Sequence, residues 1–190
     1  MKTIIIDDRK ERKHQYLDDE TSKQLYSMCD IREELPSFLE LGNYDLLAIH
    51  ESLLKEKNQY EEIVKLAKEN KKWLVLFSGG ITQNYILNDG RFLKINSSDF
   101  YSRITTFLEK YSTSESNHLL LHFIYGEEWN LPLLLKYKNL IWIYGEEIES
   151  IESDDYYLEK NIREILSPGT NVLSMEWIEG ELQKYREGIQ

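Results

Sequence analysis

The residues best suited to chemistry stand where apolar runs end. Asp7 and Asp8 close "KTIIIDD", His50 and Glu51 close "YDLLAIHE", Ser78-Gly79-Gly80 close "WLVLFSGG", and Asn96 closes "RFLKIN". An imidazole beside carboxylates is a donor set that suits Mn, Fe or Zn, so His50 could join the candidate metal ligands Asp7 and Asp8, with Glu51, around such an ion. Ser78, His50 and Asp7 could form a hydrolase relay, which requires a base within hydrogen-bond reach of the hydroxyl. The simpler reading, which we favour, is His50 hydrogen-bonded to Asp7 or Asp8, holding strand ends together. "FSGG" lacks the lysine and spacing of a Walker loop and is not G-x-S-x-G, so its glycines read as a tight turn. His118 and His122 have i,i+4 spacing, yet "HLLLH" lacks the zincin glutamate and reads as helix packing. His14 belongs to a solvated helix, and Cys29 reads as a small residue of a buried strand, "YSMCDI", rather than a nucleophile.

The elements that must position these groups alternate along the chain. "KTIII" is a first strand. "RKERKHQYLDDETSKQL" is a solvated helix, "YSMCDI" a second strand, and "REELPSFLELGN" a short helix with Pro36 in its first turn and Gly42 at its stop. "YDLLAI" is the third strand. "SLLKEKNQYEEIVKLAKENKK" carries Leu53, Leu54, Tyr60, Ile63, Val64, Leu66 and Ala67 at helical spacing, capped by Ser52. "WLVLF" is a continuous apolar run, as in a central parallel strand. "RFLKIN" is the fifth strand, and Ser97 or Ser98 caps the amphipathic helix "DFYSRITTFLEKY". Repeated strand–helix alternation predicts a five-stranded parallel α/β sheet with helices on both faces and ligands at the carboxyl ends of the strands.

"STSESN", residues 112–117, reads as a linker, dividing a domain over 1–114 from an acidic, mostly helical extension over 115–190. The extension is dense in Leu, Tyr and Trp, and "IYGEE" occurs twice in it, too few copies for a true repeat. Helices are expected over 116–125, 131–144 and 154–166, with a strand at "LIWIY" as an alternative to part of the second. A last helix over 172–189 is capped by Asn171 and has Leu173, Trp177, Ile178 and Leu182 on one face. Trp129, Trp142, Tyr144 and Trp177 suit either a small core or a partner surface.

Composition narrows the function classes. The chain has 190 residues and a net charge of −11, and residues 115–190 carry 15 acidic against 6 basic residues. Phosphate backbones repel such a protein, so direct nucleic-acid binding is disfavoured. Acidic surface is commonly a solubility device. A single cysteine and a first strand closed at once by aspartates fit a cytoplasmic protein, with no membrane-spanning helix.

The first 114 residues resemble the receiver domain of two-component response regulators, including its flavodoxin-like order of strands. "IIIDD" looks like the first receiver strand with its acidic pair, "YDLLAIH" like the third, "WLVLFSGG" like the fourth and "FLKIN" like the fifth. The resemblance implies that Asp7 and Asp8 occupy the places of the Mg²⁺-holding pair and Ser78 that of the phosphoryl-binding hydroxyl. His50 stands where the family has its phosphoacceptor aspartate, and Asn96 where it has a lysine. Lys94, two residues back on the same side of the strand, is an imperfect substitute. A neutral imidazole is a poor Mg²⁺ ligand. The expectation is a pseudo-receiver that has lost aspartyl phosphorylation and needs no cofactor. It would act without enzymatic activity, as a regulatory or adaptor protein docking on a protein partner, with self-association left open. The alternatives are a phosphorylation- or metal-dependent switch using Asp7, Asp8 and His50, and an acidic decoy of a nucleic-acid-binding protein.

Overall fold

Ile4, Ile5 and Ile6 are buried on both faces of β1 (Thr3–Ile6), as a β-branched run in an interior parallel strand should be. The computed structural model describes residues 1–82, 84–87, 91–113, 119–126, 134–135 and 175–187. After β1 come α1 (Lys10–His14), α2 (Asp19–Met28), β2 (Asp30–Arg32), α3 (Phe38–Leu41), β3 (Leu46–His50), a 3₁₀ turn (Glu51–Leu53) and α4 (Lys57–Glu69). β4 (Trp73–Ser78), β5 (Tyr85–Leu87), β6 (Phe92–Asn96), α5 (Ser97–Tyr111) and α6 (Leu119–Tyr125) follow, and α7 (Met175–Arg186) lies near the end of the chain.

The strands form one sheet in the order β2-β1-β3-β4-β6-β5. β2, β1, β3, β4 and β6 are parallel, the α/β arrangement of flavodoxin-like folds. One face packs Ile4, Ile6, Leu47, Ile49, Leu74, Leu76 and Phe92 against Leu41 of α3 and Ile63 and Ala67 of α4. On the other face Phe77 of β4 stacks on Phe100 of α5, with centroids 4.2 Å apart, and α2 packs along α5. Full burial of such side chains stabilises by about 1.5–3 kcal/mol each. Because side chains alternate along a strand, His50 follows Leu46 and Ala48 onto the α5 face, where its ring meets the edge of Phe77.

Several boundaries differ from expectation. The first predicted helix is two helices, because the Asp18 carboxylate accepts the Thr21 amide and starts α2 afresh. α2 then runs on through Tyr26–Met28, so the second strand shrinks to Asp30–Arg32 at the sheet edge. Cys29 is thus a half-buried helix C-cap, not a strand residue, and burial with the nearby Asp30 charge pushes its thiol up to about 12. Pro36 stands before the N-cap, Ser37. α4 starts at Lys57, and Ser52 lies in the 3₁₀ turn. Strand–helix alternation breaks after β4, where the chain makes β5, which pairs antiparallel with β6. α5 is capped by Asn96, whose side chain accepts the Ser98 amide.

The chain divides into two compact units, Met1–Phe123 and Ile124–Gln190. In the first, Phe123 packs its ring on Phe100 and Phe107. In the second, α7 buries Ile178 and Leu182, one helical turn apart. Residues 114–118, the predicted helix over 154–166, nearly all of that over 131–144 with its "LIWIY" strand alternative, and the Asn171 cap lie outside the described residues. The side chains of Trp129, Trp142, Tyr144 and Trp177 do as well. Among the described residues no helix is long and apolar enough to cross a membrane.

Candidate functional site

β1 and β3 are neighbours in register, Ile6 beside Ile49, so their carboxyl ends deliver Asp7, Asp8 and His50 to one place. One ligand atom from each of the three lies within 4.8 Å of the others. Asp7 is 5% exposed, and a carboxylate that deep needs partners. Its Oδ1 accepts Arg12 Nη1 at 2.5 Å and the Arg9 amide at 3.2 Å, and its Oδ2 accepts the Tyr101 hydroxyl at 2.7 Å. Burial, with the Asp7 charge, pushes the Tyr101 phenol well above its ordinary range, which keeps it a donor.

Arg12 also reaches Asp8, Nη2 to Oδ1, at 3.2 Å. One guanidinium therefore bridges both carboxylates, as a planar fork can and an ammonium cannot. Burial alone would raise the Asp8 carboxyl. The Ser52 hydroxyl, Arg12 and His50 outweigh it and hold Asp8 below the ordinary carboxylate range.

Ser52 holds His50 through two contacts. Its hydroxyl lies 2.6 Å from His50 Nδ1, and its amide donates to the same Nδ1 at 3.2 Å. That amide bond assigns the lone pair to Nδ1 and the proton to Nε2. Burial, aided by Arg12, pushes the imidazole below its ordinary range, and Asp7, Asp8 and Glu51 oppose this without reversing it. His50 is neutral at pH 7. The favoured partner in the sequence reading was Asp7 or Asp8. Asp8 Oδ1 stands 3.7 Å from Nδ1, and Ser52 makes the closer contact.

Ser78 and Asn96 are partners in the β4–β6 register, and both hold local backbone. Ser78 Oγ accepts the Gly80 amide. Asn96 donates to the carbonyls of Ile81 and Gly79, at 2.8 and 3.4 Å, and its own amide meets Asn84 Oδ1. Lys94 pairs with Glu51 at 3.2 Å and lies over the Tyr60 ring of α4. His122 stacks on Tyr111, and its expected partner His118 lies outside the described residues.

A divalent ion is what a receiver's acidic pair would hold. Mg²⁺ takes about six oxygen ligands at roughly 2.0–2.1 Å. Here Oδ1 of Asp7 and Oδ1 of Asp8 already accept from Arg12, and His50 Nδ1 is engaged by Ser52. The residues as arranged do not fit Mg²⁺ without displacing the guanidinium. Sequence reading missed Arg12, Tyr101 and Ser52. Only Arg12 left a signal, its i,i+4 spacing from Asp8.

No family model, curated protein or solved structure matches this chain.

Proposed function

We propose that the chain is a non-enzymatic regulatory or adaptor protein of the cytoplasm, built on a divergent receiver-like domain and acting by docking on a protein partner. The observation that carries this reading is the Asp7–Arg12–Asp8 bridge. A guanidinium bridges the acidic pair from within and offsets one of its two charges, where phosphoryl transfer needs an exchangeable metal. Two further features agree. His50 stands in the phosphoacceptor place, and Asn96, in the lysine place, spends its amide on the carbonyls of Gly79 and Ile81. With the chemistry at the strand ends closed, recognition falls to the surface of the domain.

The test is intact mass after incubation with Mg²⁺ or Mn²⁺ and a small phosphodonor, with His50→Ala alongside. The expected result is no change in mass for either protein. A gain of one phosphoryl group that disappears in His50→Ala overturns the reading and establishes the alternative, a switch using Asp7, Asp8 and His50. The proximity of the three ligand atoms is the observation in favour of that alternative.

A further inference from the structure

Helix α1 is too short to stand by itself. It has five residues, and its N-cap Arg9 makes no side-chain capping bond, whereas isolated helices are marginal below roughly 12–15 residues. Something in the tertiary structure must hold it on the sheet. Arg12 projects from it with a side chain only 12% exposed, onto the two aspartates at the carboxyl end of β1. Its two terminal nitrogens take one carboxylate each, Asp7 through Nη1 and Asp8 through Nη2. A bridging metal ion would make the same pair of contacts, with the nitrogen of His50 3.7 Å from the shared Asp8 oxygen.

We propose that Arg12 is a tethered counter-ion: it sits in the cation position at the strand ends, excludes divalent metal from Asp7, Asp8 and His50, and by the same contacts pins α1 to the sheet. The charges support it. Two carboxylates with one guanidinium keep a single negative charge, so the pair is stabilised without an ion from solution. Removing the guanidinium leaves two carboxylates and an imidazole converging on one place, a donor set for Mn²⁺, Co²⁺ or Zn²⁺. The proposal does not depend on the adaptor reading, because it concerns what fills the site and not what the domain docks on.

The experiment titrates the full chain with Co²⁺ and follows both its visible absorption and the melting temperature, for the wild type, Arg12→Ala, Arg12→Gln and Arg12→Ala/His50→Ala. Wild type should be silent in both readouts at about 1 mM metal, whereas metal binding to the Arg12 variants stabilises them by mass action. Arg12→Ala and Arg12→Gln should melt lower than wild type without metal. With metal they should recover several degrees and develop a Co²⁺ absorption band that is absent from the double variant. A merely structural arginine would lower the melting temperature but create no metal site. If Arg12→Ala does not fold alone, its folding on addition of Co²⁺ supports the proposal. The proposal is overturned if wild type binds Co²⁺ as well as the variants do, or if neither Arg12 variant binds metal or folds with it. Metal-silent variants sink this proposal and leave the adaptor reading standing, whereas a phosphoryl gain by wild type, which needs metal between the aspartates, sinks both.

Discussion

Two cations, the half-buried Arg12 and the buried Lys72, lie at opposite ends of the same sheet and are satisfied in different ways. At the carboxyl ends Arg12 meets charge, one carboxylate on each side. At the amino ends Lys72, 9% exposed, meets dipoles: its Nζ donates to the carbonyls of Gly42 and Tyr44 at 2.7 and 2.6 Å. Gly42 is the C-cap of α3, so the ammonium sits at the negative end of a helix. A planar fork suits two separated carboxylates, and a point charge suits converging carbonyls. A cavity of about 350 Å³ lies at the amino ends, lined by Met1, Asp45, Asn70, Lys71, Ser112 and Leu119 among others. The carboxyl ends, where open α/β sheets bind ligands, carry the ion pairs of Arg12 with Asp7 and Asp8 and of Lys94 with Glu51. The difference separates charge held for neutrality from charge held for backbone geometry, and it can be attacked from both ends.

The largest effect should come from Arg12→Ala. It leaves Asp7, whose side chain is 4% exposed, without its counter-charge, and breaking a buried pair from one side costs about 3–5 kcal/mol. Urea unfolding measures it, and a loss under about 1 kcal/mol would place the bridge in the class of surface ion pairs. Lys72→Met keeps the stem and removes the donor to two carbonyls. Unsatisfied buried acceptors cost about 1–3 kcal/mol, so a loss of roughly 2 kcal/mol is expected in the same assay. If it equals or exceeds that of Arg12→Ala, the contrast drawn between the two ends is wrong.

The pH response comes next, and it should belong to the carboxyl end. The folded pKa of His50 lies below its ordinary 6.5, so between the two values the unfolded chain binds the extra proton. Stability is therefore complete above about 6.5 and falls as pH drops through the folded value. Asp8, lowered from 3.8, adds a second loss at more acid pH with the same sign. Melting temperature against pH should lose its first, near-neutral step in His50→Gln and keep it in Lys72→Met. A step that survives in His50→Gln would assign it to another group. Arg91→Ala should have the smallest effect. Arg91 lies over the Trp73 ring at 4.3 Å and donates to the Lys71 carbonyl, and a solvent-facing contact of that kind contributes about 0.5–1 kcal/mol. A loss above 2 kcal/mol in urea unfolding would mean that the amino end depends on its rim more than on Lys72.

Much of this was legible in residues alone. "TIII", "LLAIH" and "WLVLFS" announce strands because strands buried on both faces need unbroken apolar runs, and each run stops at a polar residue, Asp7, His50 or Ser78. Alternation with helical periodicity then implies a parallel sheet and right-handed crossovers, which bring Asp7, Asp8 and His50 to one edge. The short strands were harder to read. β2 has only Ile31 as an apolar anchor, and β5 is three residues paired at an edge, so neither carries a period long enough to see. The partners of the acidic pair were decided by tertiary structure. Tyr101 reaches Asp7 from 94 positions away, and the i,i+4 spacing of Arg12 from Asp8 does not tell that the same guanidinium also takes Asp7. Local pattern records which face of an element is buried. Which side chain fills the gap between two elements depends on how they pack, and no spacing within either one carries that information.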